Sequence, residues 1–355
     1  MVTTLWDEGR AVLPLDPRLP AAEVRRVLET ARPTHISSED GIARLGSGRP
    51  VSEGAAVVLL TSGTSGRPKA VELGHTALRS AAAASHHRLG VGPEDRWLCC
   101  LPVHHIAGFG IVVRSLLLGA DPLFAASTDL EAIAGSEANL VSLVPLMLAR
   151  LLDDGADLTG FKAVLLGGGA IPADLIERAS AAGVRVVRTY GMTETCGGVV
   201  YEGVPLEGTS IRIDPLPGAA DGRGRIAINS PSLMTGYRSS PGEGGSRIED
   251  GWLLTSDEGS MADGKLVVHG RLDDVIITGG EKVSASEVRA AVLAHPGIAF
   301  ARIVGRSDKR WGERVVAVIV PAPGGPPTLA QLKEFLAPTL ARHKLPKELT
   351  VVEYL

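Results

Sequence analysis

LVSLVPLMLARLLDDGADLTGFKAVLLGGGAIPADLIERASAAGVRVVR, residues 140–188, carries three short apolar runs with two helical patterns between them. Residues 140–144, 163–166 and 184–188 read as strands, short and rich in Val and Leu. The stretches ending at Leu152 and spanning 172–182 read as helices. Strand–helix–strand–helix–strand in so short a span implies βαβ units, hence parallel strands covered by helices on both faces. Upstream the texture is the same: a strand at 55–60, a helix at 75–88, a strand at 96–100 and an apolar helix at 108–118.

Downstream of about residue 200 it changes. Short strands at 210–213, 224–229 and 266–269 stand between Gly and Pro, as in a small β-rich subdomain. From Arg271 the chain restarts with a strand, a helix at 285–294, strands near 299–304 and 314–320, and a helix at 328–340. The predicted fold is α/β. A large N-terminal domain, 1–270, has mainly parallel sheets flanked by helices and includes the β-rich subdomain at about 200–270. A small α+β C-terminal domain spans 271–355. No internal repeat or low-complexity linker is visible.

Composition bounds the function. The 355 residues are 45% hydrophobic and 21% charged with a net charge of −4, a globular balance that offers neither a nucleic-acid groove nor a polybasic membrane patch. Cys99, Cys100 and Cys196 form no CxxC pair, which argues against a disulfide scaffold or a zinc site. The N-terminal MVTTLWDEGR lacks the basic-then-apolar order of a signal peptide, and no apolar run is long enough to cross a bilayer. The expectation is a cytoplasmic protein without membrane insertion.

Four stretches carry chemistry. Leu60-Thr-Ser-Gly-Thr-Ser-Gly-Arg-Pro-Lys69 follows a strand. Its backbone N–H groups and hydroxyls can wrap an anion, to which Lys69 adds charge. It is not a Walker A loop, because Pro68 precedes the lysine and no Ser or Thr follows it. Tyr190-Gly-Met-Thr-Glu-Thr195 stands at a strand end, where ligands bind in such sheets. Glu194 suits Mg²⁺ shared with a phosphate, although Thr193 and Thr195 are also ordinary helix-capping residues. Thr255-Ser-Asp-Glu-Gly259 and Gly270-Arg-Leu-Asp-Asp-Val-Ile-Ile-Thr-Gly-Gly280 are individually unremarkable, a turn and a solvated charge run.

In this order and spacing the four resemble the superfamily of acyl-CoA synthetases, firefly luciferase and peptide-synthetase adenylation domains. The likeness runs from Pro14-Leu-Asp-Pro17 to Leu345-Pro346. It implies ATP, Mg²⁺ and coenzyme A as reactants and a carboxylic acid as substrate. Thr61, Ser62, Gly63, Thr64, Ser65, Gly66 and Lys69 would fold over the ATP phosphates. Thr193 would contact phosphate, Glu194 would hold the metal, and Tyr190, with Gly191, Met192 and Thr195 around it, would pack on the adenine. Gly168 and Gly169, in Leu166-Gly-Gly-Gly-Ala170, would line the adenine and acyl pocket, a plain αβ turn being the other reading of each glycine. Asp257 would take the ribose hydroxyls and Arg271 would clamp the nucleotide. Asp273 matches a hinge that would make the small C-terminal domain mobile between two half-reactions, and Gly279 and Gly280 a pantetheine channel. His105, in LPVHHIAG, matches a histidine near the acyl carboxylate. His104 stands where relatives carry an aromatic, and His86 and His87 read as surface or packing residues.

The finer resemblance is to the o-succinylbenzoate–CoA ligases of menaquinone biosynthesis, especially the short actinobacterial type. It rests on LPVHHIAGFGIVVRSLLLG, YGMTETCGGVVYEGVPLEG and GRLDDVIITGGEKVSASEV. The implied substrate is an aromatic keto acid with two carboxylates, whose second carboxylate needs a cation; Arg114 and Arg188 are candidates. One feature departs from the family. Its catalytic lysine falls beyond the point matching Val351-Val-Glu-Tyr-Leu355, and Lys344 and Lys347 precede that point. Either the chain is truncated there or it lacks the adenylation lysine; ending at Leu355, it is expected to be impaired in adenylation and able to form thioester from a supplied adenylate. A ligase for another aryl or fatty acid, and an adenylating or nucleotide-binding protein without thioester activity, are the alternatives. A homodimer is left open by the sequence.

Overall fold

A computed structural model describes residues 2–38, 41–61, 69–169, 171–216, 222–238, 247–272, 275–278, 281–308 and 311–353. The chain forms two compact units. One is Met1–Arg212 with Ala227–Thr255 and Ala262–Leu266; the other is Ile213–Ile226 with Ser256–Met261 and Val267–Leu355.

The first unit is built on a seven-stranded sheet: β1 (Trp97–Cys99), β2 (Leu123–Phe124), β3 (Leu140–Leu143), β4 (Ala163–Leu166), β5 (Val186–Met192), β6 (Gly197–Tyr201) and β7 (Val204–Pro205). Their order is β7-β6-β5-β4-β3-β1-β2. The five strands from β2 to β5 run parallel, and β6 and β7 add an antiparallel edge. This is the α/β arrangement that residues 140–188 predict. Every residue of β3 and β4 is buried. Side chains alternate across a strand, so burial at every position means that both faces are covered.

Helices His75–Leu89, Ile106–Leu117, Pro145–Asp153 and Ala173–Ala181 lie between the strands in sequence. Pro145 opens its helix at a position whose N–H has no intrahelical partner, and Gly90 closes His75–Leu89 at φ 64°, the left-handed geometry that favours glycine. Ile106–Leu117 begins two residues before the predicted apolar run, because His105 is an extended N-cap whose carbonyl accepts from Phe109 N at 2.9 Å.

A second sheet holds three antiparallel strands, in the order Gly236–Tyr237, Lys69–Gly74, Ala55–Thr61. Thr61 pairs with Lys69, so the Ser/Thr/Gly stretch joins two antiparallel strands before the helix begins. The sequence reading had no strand there, because Lys69 and Glu72 interrupt an apolar pattern. Both are nevertheless buried.

A five-stranded sheet follows, ordered Ser210–Pro215, Gly224–Asn229, Trp252–Ala262, Arg247–Glu249, with Lys265–Arg271 also on Trp252–Ala262. Thr255–Gly259, which alone reads as a turn, lies inside the long strand Trp252–Ala262.

In the second unit, a sheet ordered Glu281–Ser284, Val275–Thr278, Gly312–Pro321, Ile298–Asp308 carries Glu348–Val351 in parallel against Gly312–Pro321. Helices Ala285–Leu293 and Leu329–Leu336 pack on it around Val288, Val292, Leu332 and Leu336. Ser284 and Thr328 cap these helices with their side chains. The second helix is shorter than predicted: it stops at Ala337, because Pro338 cannot continue it. Among the described residues no helix is long and apolar enough to cross a membrane.

Candidate active site

β4 ends at Leu166 and is followed by Gly167–Gly169, with Gly168 at φ 78°. A Cβ on Gly167 would stand 2.3 Å from Thr189 Oγ1, and that hydroxyl donates to the Leu166 carbonyl at 3.3 Å. The glycine turn is thereby pressed against the residue before Tyr190, and the two predicted segments meet.

β5 runs through Tyr190-Gly191-Met192, further than the apolar run predicts, and ends in a 3₁₀ turn at Thr193–Thr195. The chain then reverses through Cys196 into β6, which pairs back with Gly197 opposite Met192 and Gly198 opposite Gly191. A Cβ on Gly191 would lie 2.0 Å from the Gly197 carbonyl oxygen, so this position admits only glycine. Gly191 and Thr195, expected among the cofactor contacts, also shape the turn itself. Thr195 is fully buried; its hydroxyl accepts from Met192 N at 2.9 Å and lies 2.7 Å from the Gly197 carbonyl. Thr193, half-buried, has a hydroxyl without a hydrogen bond among the described residues.

Glu194 is buried, and its Oε1 accepts from Tyr237 Oη at 2.7 Å. Oε2 carries no hydrogen bond, and the carboxylate no ion pair, among the described residues. A buried carboxylate with one oxygen satisfied and its charge unneutralised fits a cation that draws its remaining ligands from phosphate and water. No cluster of three or more His, Cys, Asp or Glu among the described residues could cage a metal by itself. Lys69, also buried, holds its Nζ 5.4 Å from the centroid of the Tyr237 ring.

His105 stands exposed at the N-terminus of helix Ile106–Leu117. Ile106 Cγ1 lies 3.8 Å from where a Gly197 Cβ would be, so this helix end adjoins the β5–β6 turn. Surrounding protein, and then the neighbouring His104 ring at 4.4 Å, hold His105 below its ordinary pKa, with Asp16 opposing. His104 Nε2 is 3.9 Å from Asp16, whose carboxylate is held far below the usual range by hydrogen bonds from Arg18.

Asp257, half-buried, and Arg271, exposed, lie on the paired strands Trp252–Ala262 and Lys265–Arg271. The Leu272 N–H donates to the Ser256 carbonyl at 2.6 Å, which fixes the two neighbourhoods together. Ser62, Gly63, Thr64, Ser65, Gly66, Asp273, Gly279 and Gly280 lie outside the described residues.

The two arginines considered for a second carboxylate have other neighbours. Arg188 is bound to Glu202, and Arg114 is buried with its guanidinium carbon 5.0 Å from the ring centre of Trp97, the first residue of β1. His86 is buried and His87 sits at the surface 3.1 Å from Glu207, the packing and surface places foreseen for them. The three cysteines are free and buried; burial pushes Cys99 up to about 11 and Cys100 to about 12, which removes them as nucleophiles. Sequence reading missed Tyr237 altogether. Its one signal is an aromatic behind Gly236 in a chain with only 4 Tyr, too little to mark a site.

A parallel sheet ending in a turn with the buried carboxylate of Glu194, and a separate α+β unit at the C-terminal end, are the frame on which the family can be tested. The AMP-binding enzyme family matches residues 37–238, and the AMP-binding enzyme C-terminal domain matches residues 287–355. The chain belongs to this family and is an AMP-forming acid–thiol ligase.

Within it, the chain is 41% identical to "Probable 2-succinylbenzoate--CoA ligase" of Mycobacterium tuberculosis, over 92% of this chain and 86% of that protein. It is 34% identical to 2-succinylbenzoate–CoA ligase of Bacillus licheniformis, over 85% of this chain and 67% of that protein. The solved o-succinylbenzoate CoA synthetase (MenE) of Bacillus subtilis in complex with the acyl-adenylate OSB-AMP superposes with a TM-score of 0.76 at 29% identity, covering 100% of this chain and 77% of that one. The same enzyme in complex with ATP and magnesium ion gives 0.74 at 27% identity, covering 100% and 78%.

Proposed function

We propose that this chain is an o-succinylbenzoate–CoA ligase, using ATP, Mg²⁺ and coenzyme A. The observation that carries the proposal is the 41% identity over 92% of the chain to a relative of that name. In the first half-reaction an acyl carboxylate oxygen attacks the α-phosphorus of ATP and pyrophosphate leaves. In the second the coenzyme A thiol attacks the acyl-adenylate carbonyl and AMP leaves.

Catalysis of this kind is positioning and charge neutralisation. Thr193 offers its free hydroxyl to a phosphate oxygen, Lys69 supplies positive charge at the start of its strand, and Tyr190 packs on the adenine. Glu194 is the residue that would hold Mg²⁺, which neutralises phosphate charge when bound. His105, whose pKa its surroundings lower, can donate one hydrogen bond to the acyl carboxylate. Asp257 takes the ribose hydroxyls and Arg271 the nucleotide. The hinge at Asp273, the loop from Ser62 to Gly66 and the channel at Gly279 and Gly280 belong to the same proposal.

A coupled assay with ATP, Mg²⁺, coenzyme A and a panel of acids tests it. Thioester formed from o-succinylbenzoate in clear preference to benzoate, malonate and medium-chain fatty acids is the expected result. Preference for another acid would keep the ligase and remove this substrate. AMP released at the same rate without coenzyme A would replace the ligase with an adenylating enzyme.

A further inference from the structure

Five consecutive residues, Met234–Arg238, touch both halves of the candidate ATP site. Met234 N donates to the Glu194 carbonyl at 2.8 Å, and Tyr237 Oη to the Glu194 carboxylate at 2.7 Å. The same segment is stitched to the strand that begins with Lys69. Thr235 N donates to the Glu72 carbonyl at 2.9 Å, Gly236 pairs with Glu72, Tyr237 pairs with Val71, and Arg238 N donates to the Ala70 carbonyl at 2.8 Å. The Tyr237 ring lies under the Lys69 ammonium.

What holds the segment is unusually firm. The Arg238 side chain is 2% exposed and paired with Glu72, and it donates to the carbonyls of Ala31 and Arg49. Neutral groups could have filled this space. A buried ion pair with backbone acceptors instead fixes one geometry, because each guanidinium N–H has a single place to go.

From this we infer that Tyr237 is a positioning residue that sets the metal-binding carboxylate of Glu194 and the Lys69 ammonium in register. Its hydroxyl occupies Oε1 and so presents Oε2 to the cation. Its donor is neutral, so the carboxylate keeps its full charge for that cation. A lysine in the same place would orient Glu194 equally well and compete with the metal. The inference rests on the reading of Glu194 as the metal ligand.

The test is equilibrium binding of Mn²⁺, followed by electron paramagnetic resonance, in the presence of a non-hydrolysable ATP analogue. Parent, Tyr237→Phe and Glu194→Gln are compared, with melting temperature and metal-free analogue affinity measured alongside. Phenylalanine keeps the ring beneath Lys69 and removes one oxygen. Tyr237→Phe should weaken Mn²⁺ about tenfold, the usual effect of losing a group that orients a metal ligand, with melting and metal-free binding unchanged. If Tyr237→Phe binds Mn²⁺ like the parent while Glu194→Gln does not, Tyr237 has no positioning role. If Glu194→Gln also binds like the parent, the metal assignment of Glu194 fails and this inference goes with it. Should Tyr237→Phe melt lower, Tyr237→Trp provides a second neutral donor; weakened Mn²⁺ binding in Phe with recovery in Trp supports positioning, and equal loss in both overturns it.

Discussion

At position 86 a histidine is 8% exposed, and its Nε2 accepts the indole N–H of Trp97 at 3.2 Å. That hydrogen bond requires the neutral ring with its proton on Nδ1. Burial first, then the Arg114 guanidinium, lower its pKa from 6.5 to about 4, against a smaller pull from Asp95. In the unfolded chain the same ring takes a proton near 6.5, so between those values the unfolded state binds more protons. Stability is therefore complete above pH 6.5 and falls as the pH drops towards 4. At about 1.4 kcal/mol per pKa unit the loss approaches roughly 3 kcal/mol. His75, His105 and His269 are also shifted down, chiefly by burial, and add a background of the same sign. The informative quantity is the difference between the parent and His86→Gln, which keeps an acceptor for Trp97 and cannot titrate. His86→Gln should lose less melting temperature between pH 6.5 and 4 than the parent. Parallel curves would mean that His86 does not govern the acid limb.

Among the elements, the turn between β5 and β6 depends on hydrogen bonds that its motif residues make to themselves. Thr195 is fully buried, and its Oγ1 serves Met192 N, with the Met192 and Gly197 carbonyls at 3.0 and 2.7 Å. Thr195→Val keeps the shape and strands the Met192 N–H, at a cost of about 1–3 kcal/mol. Thr195→Ser keeps the oxygen and should recover most of it. Urea unfolding of the three proteins checks this, and equal stability of Val and Thr would show that the hydroxyl is idle. The same turn shows what a sequence can and cannot disclose. β3 and β4 were legible because continuous apolar runs have few alternatives once helical patterns flank them. The strand Lys69–Gly74 was not, because what allows Glu72 inside is Arg238, 166 residues away. Tyr237 was hidden for the same reason: a two-residue strand has no periodicity, and its importance lies in partners at 69, 71 and 194. Gly191 and Thr195 were legible as motif positions, but the part they play in holding the turn needed the return of β6 against them.

For the molecule as a whole, texture along the chain and compactness in space divide the protein differently. The change of pattern at Arg271 follows chain order, whereas Ile213–Ile226 and Ser256–Met261 group with the later residues. Each unit nevertheless has a core of its own. Leu140, Ala163, Leu165 and Trp97 belong to one cluster of the first unit, and Val288, Leu332 and Leu336 to one of the second, with no residue in common. Leu140 and Leu336 are both fully buried. Truncating either to alanine removes the same number of carbons and leaves a cavity, worth about 2–5 kcal/mol in a close-packed core. Large proteins with more than one core need not unfold in a single step. Leu336→Ala should therefore lower a calorimetric transition that Leu140→Ala leaves in place, and Leu140→Ala should lower the other. One common transition, shifted by similar amounts in both variants, would mean that the units unfold as one body. Separate transitions would mean that substitutions in the C-terminal core can be used to perturb that unit while the fold around Glu194 and His105 stays intact.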